Sequence, residues 1–193
     1  MGAAPRAGSA VALPGHHTPA VGLEAPFEML EACHERVQRM LTLMGRLQQH
    51  LLETGLDDSA RQAARDVMRY FDLAAPLHHQ DEELHVFPPL LAGTDAGLRN
   101  LVQGLMQDHR QMEAAWPLAR AALLAVAEGP ASDGGPLNAE QTDALNRFSA
   151  LYAQHIQSEE DLVYPAAQAV LSPDAVQAMS ADMMRRRGVV QRA

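Results

Sequence analysis

An all-α fold is predicted by three features of the 193-residue sequence: apolar residues recur at intervals of three and four along four long segments, stretches rich in Gly, Pro, Asp or Ser separate those segments, and no run alternates as a half-buried strand does. Four helices with short connections favour an antiparallel up-and-down four-helix bundle, here with a short extra C-terminal helix. The length suits one domain around a single core.

Residues 1–23 are rich in Ala, Gly and Pro without periodicity and read as a flexible N-terminal leader, His16 and His17 included. The bundle is expected over 24–171. Its first helix starts at Pro26, a residue suited to a first helical turn, and carries Phe27, Leu30, His34, Val37, Leu41 and Met44 to about Glu53. Asp58 or Ser59 can cap the second, which passes Val67, Tyr70, Phe71, Ala74 and His78 and reaches about Phe87. Pro76 should kink it, and Pro88-Pro89 should weaken its continuation. After a turn at Gly93-Thr94-Asp95, the third helix bears Leu98, Val102, Leu105, His109, Met112 and Trp116 to about Glu128, with Pro117 inside it. Asn138 and Gln141 form a capping box for the fourth, which carries Leu145, Phe148, Tyr152, His155, Glu159 and Leu162. In residues 172–193, Ser172-Pro173 opens a short helix that Gly188 ends, leaving a tail.

One stretch occurs twice. His78-His79-Gln80-Asp81-Glu82-Glu83-Leu84-His85-Val86-Phe87-Pro88 aligns without a gap to His155-Ile156-Gln157-Ser158-Glu159-Glu160-Asp161-Leu162-Val163-Tyr164-Pro165. Both copies have His, then Glu one helical turn later, on one face of the helix. Turn positions extend the pattern. In an antiparallel hairpin, residues equally far from the turn share a height, since each advances about 1.5 Å. His34 and His78 are centred on Leu56, His78 and His109 between Gly93 and Thr94, and His109 and His155 on Ser132. All four histidines therefore fall in one layer, each in its helix's apolar stripe. Two His/Glu pairs in such a layer make a cage for a metal cation, and a buried His/Glu hydrogen-bond network is the alternative. Nitrogen and oxygen donors without thiolate suit Fe, Mn or Zn and disfavour an iron–sulfur cluster.

The layer toward the first and third turns contains Leu41, Phe71, Trp116 and Phe148, an apolar floor; the opposite layer contains Phe27, His85, Val102 and Leu162. His85 stands about 10 Å from His78 by helical rise and is read as a residue of the mouth or outer surroundings. Cys33 points away from His34 and reads as a buried inert thiol, and the methionines as core filler.

The net charge of −9 argues against a nucleic-acid partner, no apolar run reaches membrane-span length, and a single cysteine suits a reducing, cytoplasmic setting. Arg185-Arg186-Arg187 reads as the end of a helix interacting with its own dipole.

These residues resemble the hemerythrin-like, HHE cation-binding family, whose pattern is a His on the first helix, His-x-x-x-Glu on the second, a His on the third and His-x-x-x-Glu on the fourth. Here these are His34, His78 with Glu82, His109, and His155 with Glu159. The resemblance spans about residues 26–170. It implies a pair of non-heme Fe ions, bridged by both Glu side chains and by an oxo or hydroxo group, with histidines on the outer sides. The sequence departs from the oxygen carriers of the family, which place two histidines one turn apart on the third helix. Here Leu105 and Glu113 flank His109, so either Glu113 is a ligand or a second position is open. The carriers' spacing would also select Glu160 in place of Glu159; the one-turn spacing favours Glu159 and Glu82, leaving Glu160 and Glu83 as outer acids. His79 is the alternative to His78. The family members that repair iron centres carry a cysteine-bearing N-terminal segment not seen here. The expectation is a protein that binds dioxygen or another small diatomic for storage, delivery or sensing. The alternative is a di-iron enzyme acting on peroxide or nitric oxide, or in iron handling and repair.

Overall fold

The computed structural model describes residues 25–129 and 137–189. The expected leader, with His16 and His17, and the end of the expected tail lie outside the described residues. Among the described residues every regular element is helical. In order these are α1 (Pro26–Glu53), α2 (Asp58–Asp81), a π-helical turn π1 (Glu82–Val86), α3 (Phe87–Leu91), α4 (Ala96–Glu128), α5 (Ala139–Ala150), α6 (Tyr152–Ser158), a second π-helical turn π2 (Glu159–Val163), α7 (Tyr164–Val170) and α8 (Pro173–Arg186). No helix among them is long and apolar enough to cross a membrane.

Local chemistry sets the ends. Asp57, one residue before the expected cap, accepts the Ala60 N–H and starts α2; Asp95 does the same for α4 through Leu98. Asn138 and Gln141 form the reciprocal box, and Ser172 accepts the Ala175 N–H. Gly188, at φ 67, provides the left-handed residue that closes α8.

Two expectations about helix ends are corrected. Pro88-Pro89 does not weaken the second helical run, which continues as α3 to Leu91 because these prolines fall in the first turn of the new segment. The fourth run is not one helix: it tightens at Leu151, whose N–H reaches Phe148 O, and extends past Leu162 to Val170.

Both copies of the doubled stretch widen into a π turn at the same place. Phe87 N–H bonds to Glu82 O, and Tyr164 N–H bonds to Glu159 O. A proline follows each of them: Pro88 and Pro165 have no N–H for the carbonyl four residues back, so the α ladder loses a bond just beyond the widened turn. The widened turn shifts the phase of everything beyond it. An uninterrupted α-helix would place Leu162 above His155; instead Leu162 is 54% exposed, while Val163 and Tyr164 are buried. In the first copy Leu84 is 51% exposed, and Val86 and Phe87 are buried. The expected layer of Phe27, His85, Val102 and Leu162 is corrected accordingly. Phe27 and Val102 are buried, Leu162 is not, and the two aromatics of the doubled stretch take the inward positions.

Helix α1 packs on α2, α2 on α4, and α4 on α5. The core has two apolar parts, one containing Met44, Leu47, Val67, Phe71, Leu123 and Phe148, the other Leu30, Phe87, Leu105, Val163 and Tyr164. The expected floor is there: Phe71, Trp116 and Phe148 make mutual ring contacts at 4.9–5.2 Å, with Leu41 packed at the margin. Of the methionines, Met44 and Met112 are fully buried, Met29 and Met68 nearly so.

Helix α8 inserts Met179 and Met183 into the second part of the core. Its three arginines do more than face a helix dipole. Arg186 and Arg187 both pair with Asp81, a fully buried carboxylate immediately before Glu82, and Arg185 and Arg186 pair with Asp182, which also accepts from His85 at 2.8 Å. Replacing Asp81 by Ala removes the buried carboxylate that Arg186 and Arg187 share, leaving Arg186 with Asp182 and Arg187 with the Met183 carbonyl. The expected loss is roughly 3–5 kcal/mol of stability, read as a lower midpoint in chemical denaturation.

Candidate metal centre

Four helical runs each bring one imidazole inward, and the π turns begin at the two buried carboxylates. His34, His78, His109, His155, Glu82 and Glu159 are all at most 4% exposed. Their polar atoms fall into two groups. In the first, His34 Nε2 lies 2.9 Å from His78 Nε2 and 3.2 Å from Glu159 Oε2, and His78 Nε2 lies 3.5 Å from Glu82 Oε1. In the second, His109 Nε2 lies 3.2 Å from His155 Nε2, 3.4 Å from Glu82 Oε2 and 3.8 Å from Glu159 Oε1, and His155 Nε2 lies 3.1 Å from Glu159 Oε1. His34, His78, Glu82 and Glu159 are close enough together to hold one metal ion, and His109, His155 and Glu159 to hold another, with Glu82 Oε2 at the edge of the second set.

The outer ring nitrogens are held by acids. His34 Nδ1 donates to Glu160 Oε1 at 2.9 Å, His109 Nδ1 to Glu83 Oε1 at 2.9 Å, and His155 Nδ1 to Asp108 Oδ2 at 3.4 Å. A carboxylate at Nδ1 fixes the proton there and leaves the Nε2 lone pair facing inward. Glu83 and Glu160 thus stand behind imidazoles of other helices, not among the inward donors. Glu113 is exposed and lies outside both groups. His79 is buried but faces the ring of His109, stacked at 3.9 Å, and its Nδ1 has no hydrogen-bond partner. His79 also lines a cavity of about 40 Å³ with Phe71, Ala75, Met112, Trp116 and Tyr152.

Sequence reasoning missed two residues here. Asp108 gives no periodic signal, being simply the neighbour of His109. Tyr164 carries its hydroxyl into the first group, 2.5 Å from Glu82 Oε1 and 3.2 Å from His34 Nε2. Its signal was available in the aromatic-Pro ending shared by both copies, had the proline been used to shift the helical phase.

Electrostatics test whether a cation fits. Glu82 Oε2 and both Glu159 oxygens are buried with no well-aimed hydrogen-bond donor. Burial would push Glu82 up, yet His78, His109 and His34 hold its carboxyl well below the usual range. Burial, and then the charge of Glu82, push Glu159 up to about 8. Burial takes His78 down to about 3 and lowers His155. Burial opposes protonation of His34 and His109 as well, but the glutamates outweigh it and raise both. Two adjacent buried carboxylates cannot both ionise cheaply without positive charge between them. Once deprotonated, carboxylate oxygens without well-aimed donors and imidazole Nε2 atoms turned inward fit a hard or borderline divalent or trivalent cation.

The sequence matches the Hemerythrin HHE cation binding domain over residues 25–167. An uncharacterized protein of Haemophilus influenzae is 29% identical to it over 164 residues, spanning 85% of this chain and 91% of its own length.

Protons on Glu159, His34 and His109 must leave before these atoms can bind a cation, so metal affinity should rise as pH climbs toward and through about 8. Competition with a chromophoric chelator across that range measures it; an affinity that falls with pH contradicts the proton assignments. Glu160→Gln keeps the shape behind His34 and removes the charge. The expected cost is about 10–100-fold in metal affinity with little change in folding, separable by chelator competition and thermal melting.

Proposed function

Because the chain belongs to the hemerythrin HHE cation-binding domain family, we propose that it is a di-iron protein, an antiparallel up-and-down four-helix bundle that binds dioxygen or another small diatomic. One observation carries the reading. Glu82 and Glu159 each turn one oxygen toward His34 and His78 and the other toward His109 and His155. That arrangement suits two cations side by side, bridged by both carboxylates. His34 and His78 would hold one ion and His109 and His155 the other, with Mn or Zn accommodated by the same donors.

When bound, an iron pair supplies two electrons that a small diatomic can accept and return. The chain's own residues do the rest. Glu160, Glu83 and Asp108 keep their histidines in the inward-facing tautomer. Phe71, Trp116 and Phe148 close the floor against bulk water. The cavity beside His79, about 40 Å³, has room for a small diatomic. The lone cysteine and acidic charge support a cytoplasmic setting.

Anaerobic loading with ferrous iron, metal counting and optical spectra through an oxygen cycle test the proposal. The expected result is an iron pair that takes up oxygen and releases it under argon, and that His78→Ala and Glu159→Ala fail to bind. Retention of two tightly held irons by either variant would sink the ligand assignment. Irreversible oxidation with turnover of peroxide or nitric oxide would identify an enzyme instead of a carrier or sensor.

A further inference from the structure

The two halves of the centre are built by the same motif but are not equivalent. Phe87 and Tyr164 occupy matching places after π1 and π2, and each stacks on the histidine of a helix outside its own copy. The ring of Tyr164 lies 5.6 Å from His34 at 8°, and that of Phe87 lies 5.6 Å from His109 at 25°. Only one of the two rings bears an oxygen. Tyr164 is 1% exposed, is wedged edge-on by Phe27 on its other side, and aims its hydroxyl at the space between His34 Nε2 and Glu82 Oε1.

We infer that Tyr164 is an oxygen ligand of the metal held by His34 and His78, and that its counterpart Phe87 leaves the metal held by His109 and His155 as the one with an exchangeable position. The inference rests on the proposed metal pair and makes its two ions chemically distinct. The first group then offers two imidazole nitrogens, two carboxylate oxygens and a phenol oxygen. The second offers two nitrogens and a carboxylate oxygen of Glu159, with Glu82 Oε2 3.4 Å from His109 Nε2 at its edge. With one bridging solvent oxygen the first ion would have a shell of six, and the second would fall short of it.

The phenol oxygen is already placed within the first donor group, so no movement of the backbone is needed. Burial and the charges of Glu82 and Glu159 keep Tyr164 protonated while no cation is present. On loading, the O–H bond breaks, the oxygen's electron pair goes to the metal, and the proton leaves to solvent. Tyr70 and Tyr152, the other tyrosines of the chain, do not compete for the role. Tyr70 donates to Cys33 O, and Tyr152 packs among Phe71 and Phe148.

The test uses the full chain loaded with iron and oxidised in air, with iron counted in every sample. A phenolate on ferric iron produces a visible charge-transfer band and resonance-enhanced ring vibrations. The wild type is expected to show both, and Tyr164→Phe to lose both while retaining two irons. Wild-type protein carrying ring-deuterated tyrosine should shift the vibrations, a measurement independent of how the variant folds. Two irons bound in the wild type without phenolate vibrations, or vibrations persisting in Tyr164→Phe, would overturn the inference while leaving the metal pair standing. A wild type that binds no iron pair would overturn the metal centre itself, and the ligand with it.

Discussion

Two buried carboxylates side by side are the constraint on which the rest of this structure depends. Glu82 and Glu159 are sealed from water, and like charges so close repel strongly in a medium of low dielectric. Water cannot screen them, and apart from the Tyr164 hydroxyl on Glu82 Oε1 their oxygens have no well-aimed hydrogen-bond donor. The surrounding protein therefore has to hold an arrangement that it would not adopt for its own stability. It does so with apolar packing above and below: the ring cluster of Phe71, Trp116 and Phe148 on one side, and Phe27, Val86, Phe87 and Tyr164 on the other. Side chains packed at crystal-like density leave the acids no room to separate. The outer acids Glu83, Glu160 and Asp108 then stop the imidazoles from turning away.

The π turns explain how a helix can place so many functional groups at one level. An α-helix presents one residue per turn to a given face, with the next on that face a further turn away. In each copy the widened turn lets Glu82 or Glu159 point to the centre while the aromatic five residues later points there too. The adjacent acids, Glu83 and Glu160, reach imidazoles on α4 and α1. Helix α8 braces this irregular stretch from outside. Asp81, the last residue before π1, is tied to Arg186 and Arg187, and His85 within π1 is tied to Asp182. An interrupted ladder is weaker than a regular one, and two anchor points on the same short segment offset that weakness.

How much of this was legible in the sequence follows from which rule each residue obeys. The helices α1, α2 and α4, the capping box at Asn138 and the helix after Ser172 all follow from 3.6-residue periodicity and cap chemistry, which are local. The meeting of His34, His78, His109 and His155 was legible because turn midpoints convert sequence separation into height. What failed was the assumption of a constant phase. Leu162 satisfied the apolar stripe and is on the surface, because the π turn at Glu159–Val163 shifts the phase around it. Glu113 looked eligible by spacing from His109 but sits on the exposed flank of α4. The pairing of Asp108 with His155, and of Asp81 with α8, joins elements far apart in the chain, and no single-helix pattern encodes a partner.

The duplicated stretch also shows how near-symmetry becomes a device. Identical copies would give two ions identical surroundings and no reason for a ligand to choose between them. Toward the centre the copies differ by an oxygen atom, present at Tyr164 and missing at Phe87, and by the support behind the imidazoles. Asp108 backs His155, whereas His78 Nδ1 has no hydrogen-bond partner. The cavity beside His79 is lined by α2, α4, α5 and α6 and by no residue of α1. His79 in its wall stacks on the ring of His109, which places the cavity next to that imidazole. In the proposed metal pair, electron-rich donors would gather at one position and space for a ligand at the other. That is the division of labour a metal pair needs if one ion is to stay put while the other exchanges a small ligand.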